Sequence, residues 1–265
     1  MNLTLMKREL RANYKLLLIF LAVLSLYSAM IVTMFDPAFS ETMNAMAQSM
    51  PDIFAAFGML NPAATLIEFV ANYLYGFLLI AFPLVFLVLL ANRLVARYVD
   101  RGSMAYLLAT PNRRTRIILT QAAVLLLCTL VLVIYVTGLC CAVGQALFPG
   151  GLDVGKFLLL NAGWLGLLIF LGGLCFCASC LFDDTKLSYG VGAGLCIAFL
   201  LIQMLSQAGE KFEALRYATP LTLFDPSRII AGEEQAVWMF LILYAAGILF
   251  YVAGLLIFRR RDLPL

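Results

Sequence analysis

Apolar residues fall into six long runs, at about Leu16–Phe35, Ile67–Ala96, Ile117–Phe148, Phe157–Phe182, Leu187–Leu205 and Val237–Phe258, with polar residues gathered between them. A membrane-crossing helix needs roughly 20 apolar residues to span about 30 Å of hydrocarbon, and each run is near that length or beyond it. All six are too long for strands and lack the strict alternation of a membrane barrel. The pattern predicts an all-α polytopic membrane protein with six transmembrane helices, a single transmembrane domain over residues 1–265. The first run is too long for a cleavable leader and ends at Asp36-Pro37 without a small-x-small cleavage pattern, so it is expected to stay as a span.

The segments between the runs add detail. "MNLTLMKRELRANYK" places Leu3, Met6 and Leu10 near helical spacing with Lys7, Arg8 and Arg11 between them. This predicts an amphipathic helix over residues 1–15 in the inner interface, with a basic flank anchoring the first span as the alternative. Residues 36–66 and 208–236 are too rich in Met, Ala and Phe, or too punctuated by Pro37, Pro51, Pro62, Pro220 and Pro226, for simple loops. They are expected to be outer re-entrant or interfacial segments. Pro83 is expected to kink the second span. Gly172-Gly173 and Gly190-x-Gly192-x-Gly194 predict close helix contacts in spans four and five.

Composition fixes the solvent. Hydrophobic residues make up 64% of the chain, charged residues 12%, and mean hydropathy is +0.99. A soluble domain carries about a quarter charged residues, so this chain needs lipid around it. Charge then fixes the orientation. With the N-terminus in the cytoplasm, 14 of the 18 basic residues lie in inner segments, whereas 10 of the 15 acids lie outside. That bias predicts a multi-pass protein of a bacterial cytoplasmic membrane with both termini cytoplasmic. It points to contact with anionic membrane lipids and not to nucleic-acid binding.

Little in the chain reads as catalysis. With no histidine, the usual proton shuttle and commonest metal ligand are missing. All seven cysteines fall inside the apolar runs; Cys175-x-Cys177-x2-Cys180 reads as packing, since thiolates in hydrocarbon are costly and no histidine completes a zinc site. "GGLDVGKF" matches G-x4-G-K, but Phe157 stands where a magnesium-binding hydroxyl belongs, and no strand precedes it. Glu68 and Arg93 lie near the ends of the second span, not at mid-bilayer where an ion relay is expected. The chain is not expected to be an enzyme, and no metal or cofactor is implied.

One inner segment stands apart. "DRGSMAYLLATPNRRTRIILTQ" follows the second run, and Arg97, Arg101, Arg113, Arg114 and Arg116 cluster around it. Gly102 can end the second helix, and Ser103 can cap a short new one in which Met104, Leu107 and Leu108 share a face. Pro111 suits the first position of the third helix. So short a helix needs a docking surface. Arginines in the first turn oppose the helix dipole and call for a counterion, from lipid phosphates or an acidic partner; on physics alone a positive-inside anchor fits equally well.

This segment resembles the cytoplasmic stretch of ABC-2-type permeases: an acidic residue, Gly-Thr/Ser, a short apolar stretch, "LLATP" or similar, basic residues, then an apolar helix. Asp100 stands here for the more usual glutamate and Ser103 for threonine, changes that keep the chemistry. The six-span layout, amphipathic start and basic "FRRRDL" resemble the same family over essentially the whole chain.

The resemblance implies a coupling helix between spans 2 and 3 that fits a separate ABC ATP-binding subunit. The implied coupling residues are Asp100, Gly102, Ser103, Met104, Leu107, Leu108, Pro111, Arg113, Arg114 and Arg116. It implies an exporter of an amphiphile (lipid, peptide or drug) built from two permease chains, homodimeric or heterodimeric, and two ATPase copies. A non-transporting immunity or sensing component that binds a membrane-active peptide, and a secondary transporter, are the alternatives.

Overall fold

Asn2 starts the first helix, its side-chain carbonyl accepting the N–H groups of Thr4 and Leu5 at 3.1 and 3.2 Å. Helix α1 (Leu3–Thr33) then runs for 31 residues, about 46 Å, which exceeds the hydrocarbon thickness by several turns. No break separates the basic N-terminal stretch from the first span; both lie in this one continuous helix. Its inward stripe is Leu5, Glu9, Asn13 and Leu16, whereas Leu3 is exposed and Met6 and Leu10 are half-buried.

The computed structural model describes residues 2–59, 63–100, 102, 114–208 and 210–260. After α1 come α2 (Pro37–Ser49), α3 (Pro51–Ala56), α4 (Leu66–Val70), a π turn (Ala71–Tyr75), α5 (Leu78–Leu94) and α6 (Ala96–Asp100). Then follow α7 (Arg114–Leu147), α8 (Val154–Leu181), α9 (Thr185–Gln207), two 3-10 stretches (Glu210–Ala218 and Pro220–Leu223), α10 (Pro226–Ala231) and α11 (Glu234–Arg260). No strand occurs among the described residues. Six helices are long and apolar enough to cross a membrane: α1, α5 with α6, α7, α8, α9 and α11. The chain is an all-α polytopic membrane protein.

The second apolar run is not one helix. Thr65 and Glu68 form a capping box that starts α4: Glu68 Oε2 accepts the N–H groups of Ala64 and Thr65 at 2.9 and 3.0 Å. Burial works against the charged form of Glu68. The amides of Ala64 and Thr65, the Thr65 hydroxyl and the charge of Lys156 outweigh it and hold the carboxyl below its ordinary 4.5. The helix loosens into the π turn, stops at Gly76-Phe77 and restarts as α5. Gly76 is required there, since a β-carbon would lie 2.5 Å from the Asn72 carbonyl oxygen and 2.6 Å from that of Phe57. The segment between α1 and α4 therefore presses its Gly58 turn directly against this break.

Pro83 sits inside α5 and has no N–H, so the carbonyl of Leu79, four residues earlier, loses its partner within the helix. The indole N–H of Trp164 on α8 donates to that carbonyl at 2.6 Å. Trp164 and Tyr75 are both fully buried and meet edge to face, ring centres 5.8 Å apart. One proline on the second span thus fixes which residue of the fourth span packs against it.

Helix α8 is the axis of the bundle, touching α5, α7, α9 and α11. Its closest partner is α11. A β-carbon on Gly173 would lie 2.6 Å from the carbonyl oxygen of Gly247, and one on Gly247 would lie 2.8 Å from the Phe170 amide nitrogen. Two backbones approach this closely only where neither carries a side chain. Of the glycines expected to mark close helix contacts in spans four and five, Gly172, Gly173 and Gly192 do so, whereas Gly190 and Gly194 do not. The Gly172-Gly173 pair packs against Tyr251 and Gly247 of the sixth span, and Gly190 and Gly194 face open space; of the α9 glycines, Gly192 alone lies against α8, beside Ala178. Cysteines fill that α8–α9 seam, Cys175 and Cys196 both buried with sulfurs 3.7 Å apart.

Candidate functional site

The end of the bundle that carries both termini is knitted together by polar side chains. Asp100, last residue of α6, accepts the Thr185 hydroxyl at the start of α9 at 2.8 Å. Asp184 caps α9 by accepting the Lys186 N–H at 2.8 Å. The amide of Asn2 donates to Thr120 of α7 at 3.0 Å. Gly102 takes a positive φ of 67° and donates its N–H to Val99, ending α6. Arg114 opens α7, and Arg116 lies exposed two residues on. The two flanks of the arginine segment, with α1 and α9, therefore share one face. Ser103, Met104, Leu107, Leu108, Pro111 and Arg113 lie outside the described residues.

Glu9 joins this end of the bundle, although it was not among the coupling residues expected from sequence. It is 1% exposed, and the Tyr98 hydroxyl of α6 donates to its Oε1 at 2.7 Å. Tyr98 stands two residues before Asp100. The N-terminal helix thus grips the element that leads straight into the arginine segment. Close by in the same layer, Asn13 and Gln121 are buried too.

A second polar seam crosses the bundle further up. Asn92 of α5 accepts the Ser188 hydroxyl of α9 at 2.7 Å, and Ser179 of α8 lies 3.1 Å from that hydroxyl. Toward the opposite end, Asn161 of α8 accepts the buried Tyr75 hydroxyl at 2.8 Å and donates to the Phe157 carbonyl at 2.8 Å. Thr137 of α7 lies 2.8 Å from the same Asn161 oxygen. Buried donors and acceptors cost free energy unless paired, and these pairs hold four spans in one relative arrangement.

At the end away from the termini lies a cavity of about 700 Å³. Its floor is the broken second helix, at Asn72, Tyr75 and Gly76; its walls come from α3, the end of α9 and the segment from Arg216 to Ser227. Irregular backbone at membrane depth is tolerated where protein covers it or a cavity opens on it, and a π turn frequently marks a functional site. The size is that of a small-molecule pocket, about 300–1,000 Å³.

The family described as ABC-2 family transporter protein matches residues 4–263, nearly the whole chain. The chain belongs to the ABC-2 transporter family. No curated protein matches it. As an ABC-2 membrane component it is a transport protein, multi-pass, of a family whose permeases pair with an ATP-binding subunit. Sequence reading of this ABC-2 chain found the arginine segment but missed Glu9 and the cavity. Apart from Glu9 and Asp100, the side chains that join the spans are neutral, as at Asn92 and Asn161, and such residues carry no charge signal in an apolar run.

Proposed function

We propose that this chain is the permease subunit of an ATP-driven exporter in a bacterial cytoplasmic membrane. It moves an amphiphile by alternating access while a separate pair of ATPase subunits hydrolyses the nucleotide. The family match over residues 4–263 carries the reading. It is supported by the shared face on which Asp100, Gly102, Arg114, Arg116 and both helix-terminal regions lie. In this reading Asp100, Gly102, Ser103, Met104, Leu107, Leu108, Pro111, Arg113, Arg114 and Arg116 form the surface gripped by the ATPase. A push on that surface reaches α1 through Tyr98–Glu9 and α9 through Asp100–Thr185, so closure of the ATPase pair would move three spans together. Such an element has two positions and is biased by a ligand bound elsewhere. The permease works as two chains, and both termini face the cytoplasm.

Co-expression with a candidate ABC ATP-binding subunit tests the proposal. Leu107→Asp puts a charge on the apolar docking face, and Arg114→Glu reverses a basic contact. Each is expected to lower recovery of the ATPase with the affinity-tagged permease at least tenfold, with the permease itself still folded and membrane-inserted. Equal recovery with both variants overturns the coupling assignment. Peptide binding without ATP-dependent movement would favour the immunity reading, and ion-driven flux without any ATPase would favour a secondary transporter.

A further inference from the structure

The cavity at the end away from the termini contains two opposite charges that do not meet. Asp52 of α3 lines one wall and Arg216 of the second outer segment lines another. Among the described residues neither side chain makes an ion pair with the other or with any third group. The remaining carboxylate in the wall, Asp225, is already committed. It accepts the N–H groups of Ser227 and Arg228 at 3.1 and 3.3 Å and meets the Arg228 guanidinium at 3.4 Å. The cavity thus offers an anion and a cation.

The residues beside these charges in sequence are of a different kind. Met50 and Ile53, flanking Pro51-Asp52, are 55% and 58% exposed, and Tyr217, following Arg216, is 93% exposed. Large apolar side chains exposed beside a charged cavity suit a ligand with a polar head and an apolar body. We infer that the cavity binds the zwitterionic headgroup of an amphiphile that carries a primary ammonium and a phosphate, of the phosphatidylethanolamine type. The ammonium lies toward Asp52, whose carboxylate accepts its N–H groups. The phosphate lies against Arg216, whose planar guanidinium can bond it twice. The acyl chains lie over Met50, Ile53 and Tyr217. A quaternary ammonium has no N–H for Asp52, and a purely anionic headgroup leaves Asp52 facing like charge.

The inference deepens the exporter reading by naming the substrate's polar group. Its test uses the permease alone, so failed ATPase coupling does not affect the result. The full chain, purified in detergent, is given short-chain phosphatidylethanolamine, phosphatidylcholine or phosphatidylglycerol, and bound lipid is counted by native mass spectrometry. Phosphatidylethanolamine is expected to be retained about tenfold better than phosphatidylglycerol, with phosphatidylcholine between them. Asp52→Asn and Arg216→Gln are each expected to lower phosphatidylethanolamine retention about tenfold. Among the described residues neither side chain supports the fold through a hydrogen bond, so both variants should elute and melt like the parent. Asp52→Arg combined with Arg216→Asp keeps both charges in the cavity and is expected to bind better than either single variant. Equal retention of the three lipids, or variants that bind like the parent, overturns the site. Displacement of the lipid by an equal concentration of soluble phosphoethanolamine would overturn the lipid as source.

Discussion

Gly247→Val is expected to lower the unfolding temperature of the detergent-solubilised chain by about 10 °C and to cut the yield of monodisperse protein several-fold. The reason is the α8–α11 seam, where a β-carbon at position 247 would lie 2.8 Å from one backbone atom of α8 and 2.9 Å from another. Backbone cannot swing aside as a long side chain can, so the helices must separate along their contact. Overpacking of this kind costs about 3 kcal/mol at the upper end of its usual range, and in a chain of this size each kcal/mol moves the midpoint by about 2–4 °C. The matched control is Gly194→Ala. A β-carbon there meets nothing within 4 Å, and alanine is the better helix former, so the midpoint should not fall. Gly247→Val melting like the parent would mean that the fourth and sixth spans are not in backbone contact.

Trp164→Ala is expected to have the larger effect. The side chain is fully buried, lies edge-on to Tyr75 and supplies the N–H that Leu79 loses to Pro83. Truncating a buried tryptophan costs about 3–5 kcal/mol from the cavity alone. Trp164→Phe separates the two contributions, because it keeps most of the ring and removes the N–H. It should cost about 1–3 kcal/mol for a carbonyl left buried and unpaired. Pro83→Ala then restores an N–H within α5, so Trp164→Phe should be nearly harmless in that background. The coupling between the two sites in this double-mutant cycle is the measured quantity. Additive effects, with Trp164→Phe equally costly whether residue 83 is proline or alanine, would contradict the role given to the indole.

These two sites also show how far the sequence could be read. The six spans were legible because lipid leaves a coarse signal: roughly 20 apolar residues in a row, with arginine and lysine on one side. Pro83 was legible as a perturbation, but its remedy was not, since Trp164 lies 81 positions further along and only tertiary structure brings it near. The glycines of spans four and five looked alike in sequence. Which of them meet a neighbour depends on helix rotation, and apolar residues all round a membrane helix do not record that rotation.

The second span illustrates the same limit. Ile67 to Ala96 reads as one long, mostly apolar run, yet the helix breaks at Gly76, where the Phe57-Gly58 turn presses on it from another segment. Glu9 was hidden for the opposite reason. It lies among Lys7, Arg8 and Arg11 and reads as part of a solvated basic helix, although the fold turns it inward onto Tyr98. The arginine segment was legible as a motif, and its flanks now have a place at one end of the bundle.

Everything functional rests on the stretch between Asp100 and Arg114 being the handle through which an ATPase works. The most direct measurement places a photo-crosslinking amino acid at position 107 of the chain, co-expresses a candidate ABC ATP-binding subunit, and illuminates intact membranes with and without a non-hydrolysable ATP analogue. The account predicts one adduct, of the combined mass of permease and ATPase, whose yield changes with nucleotide; the same probe at position 217 should give none. An adduct with the ATPase from position 217, or only lipid adducts from position 107, would contradict it.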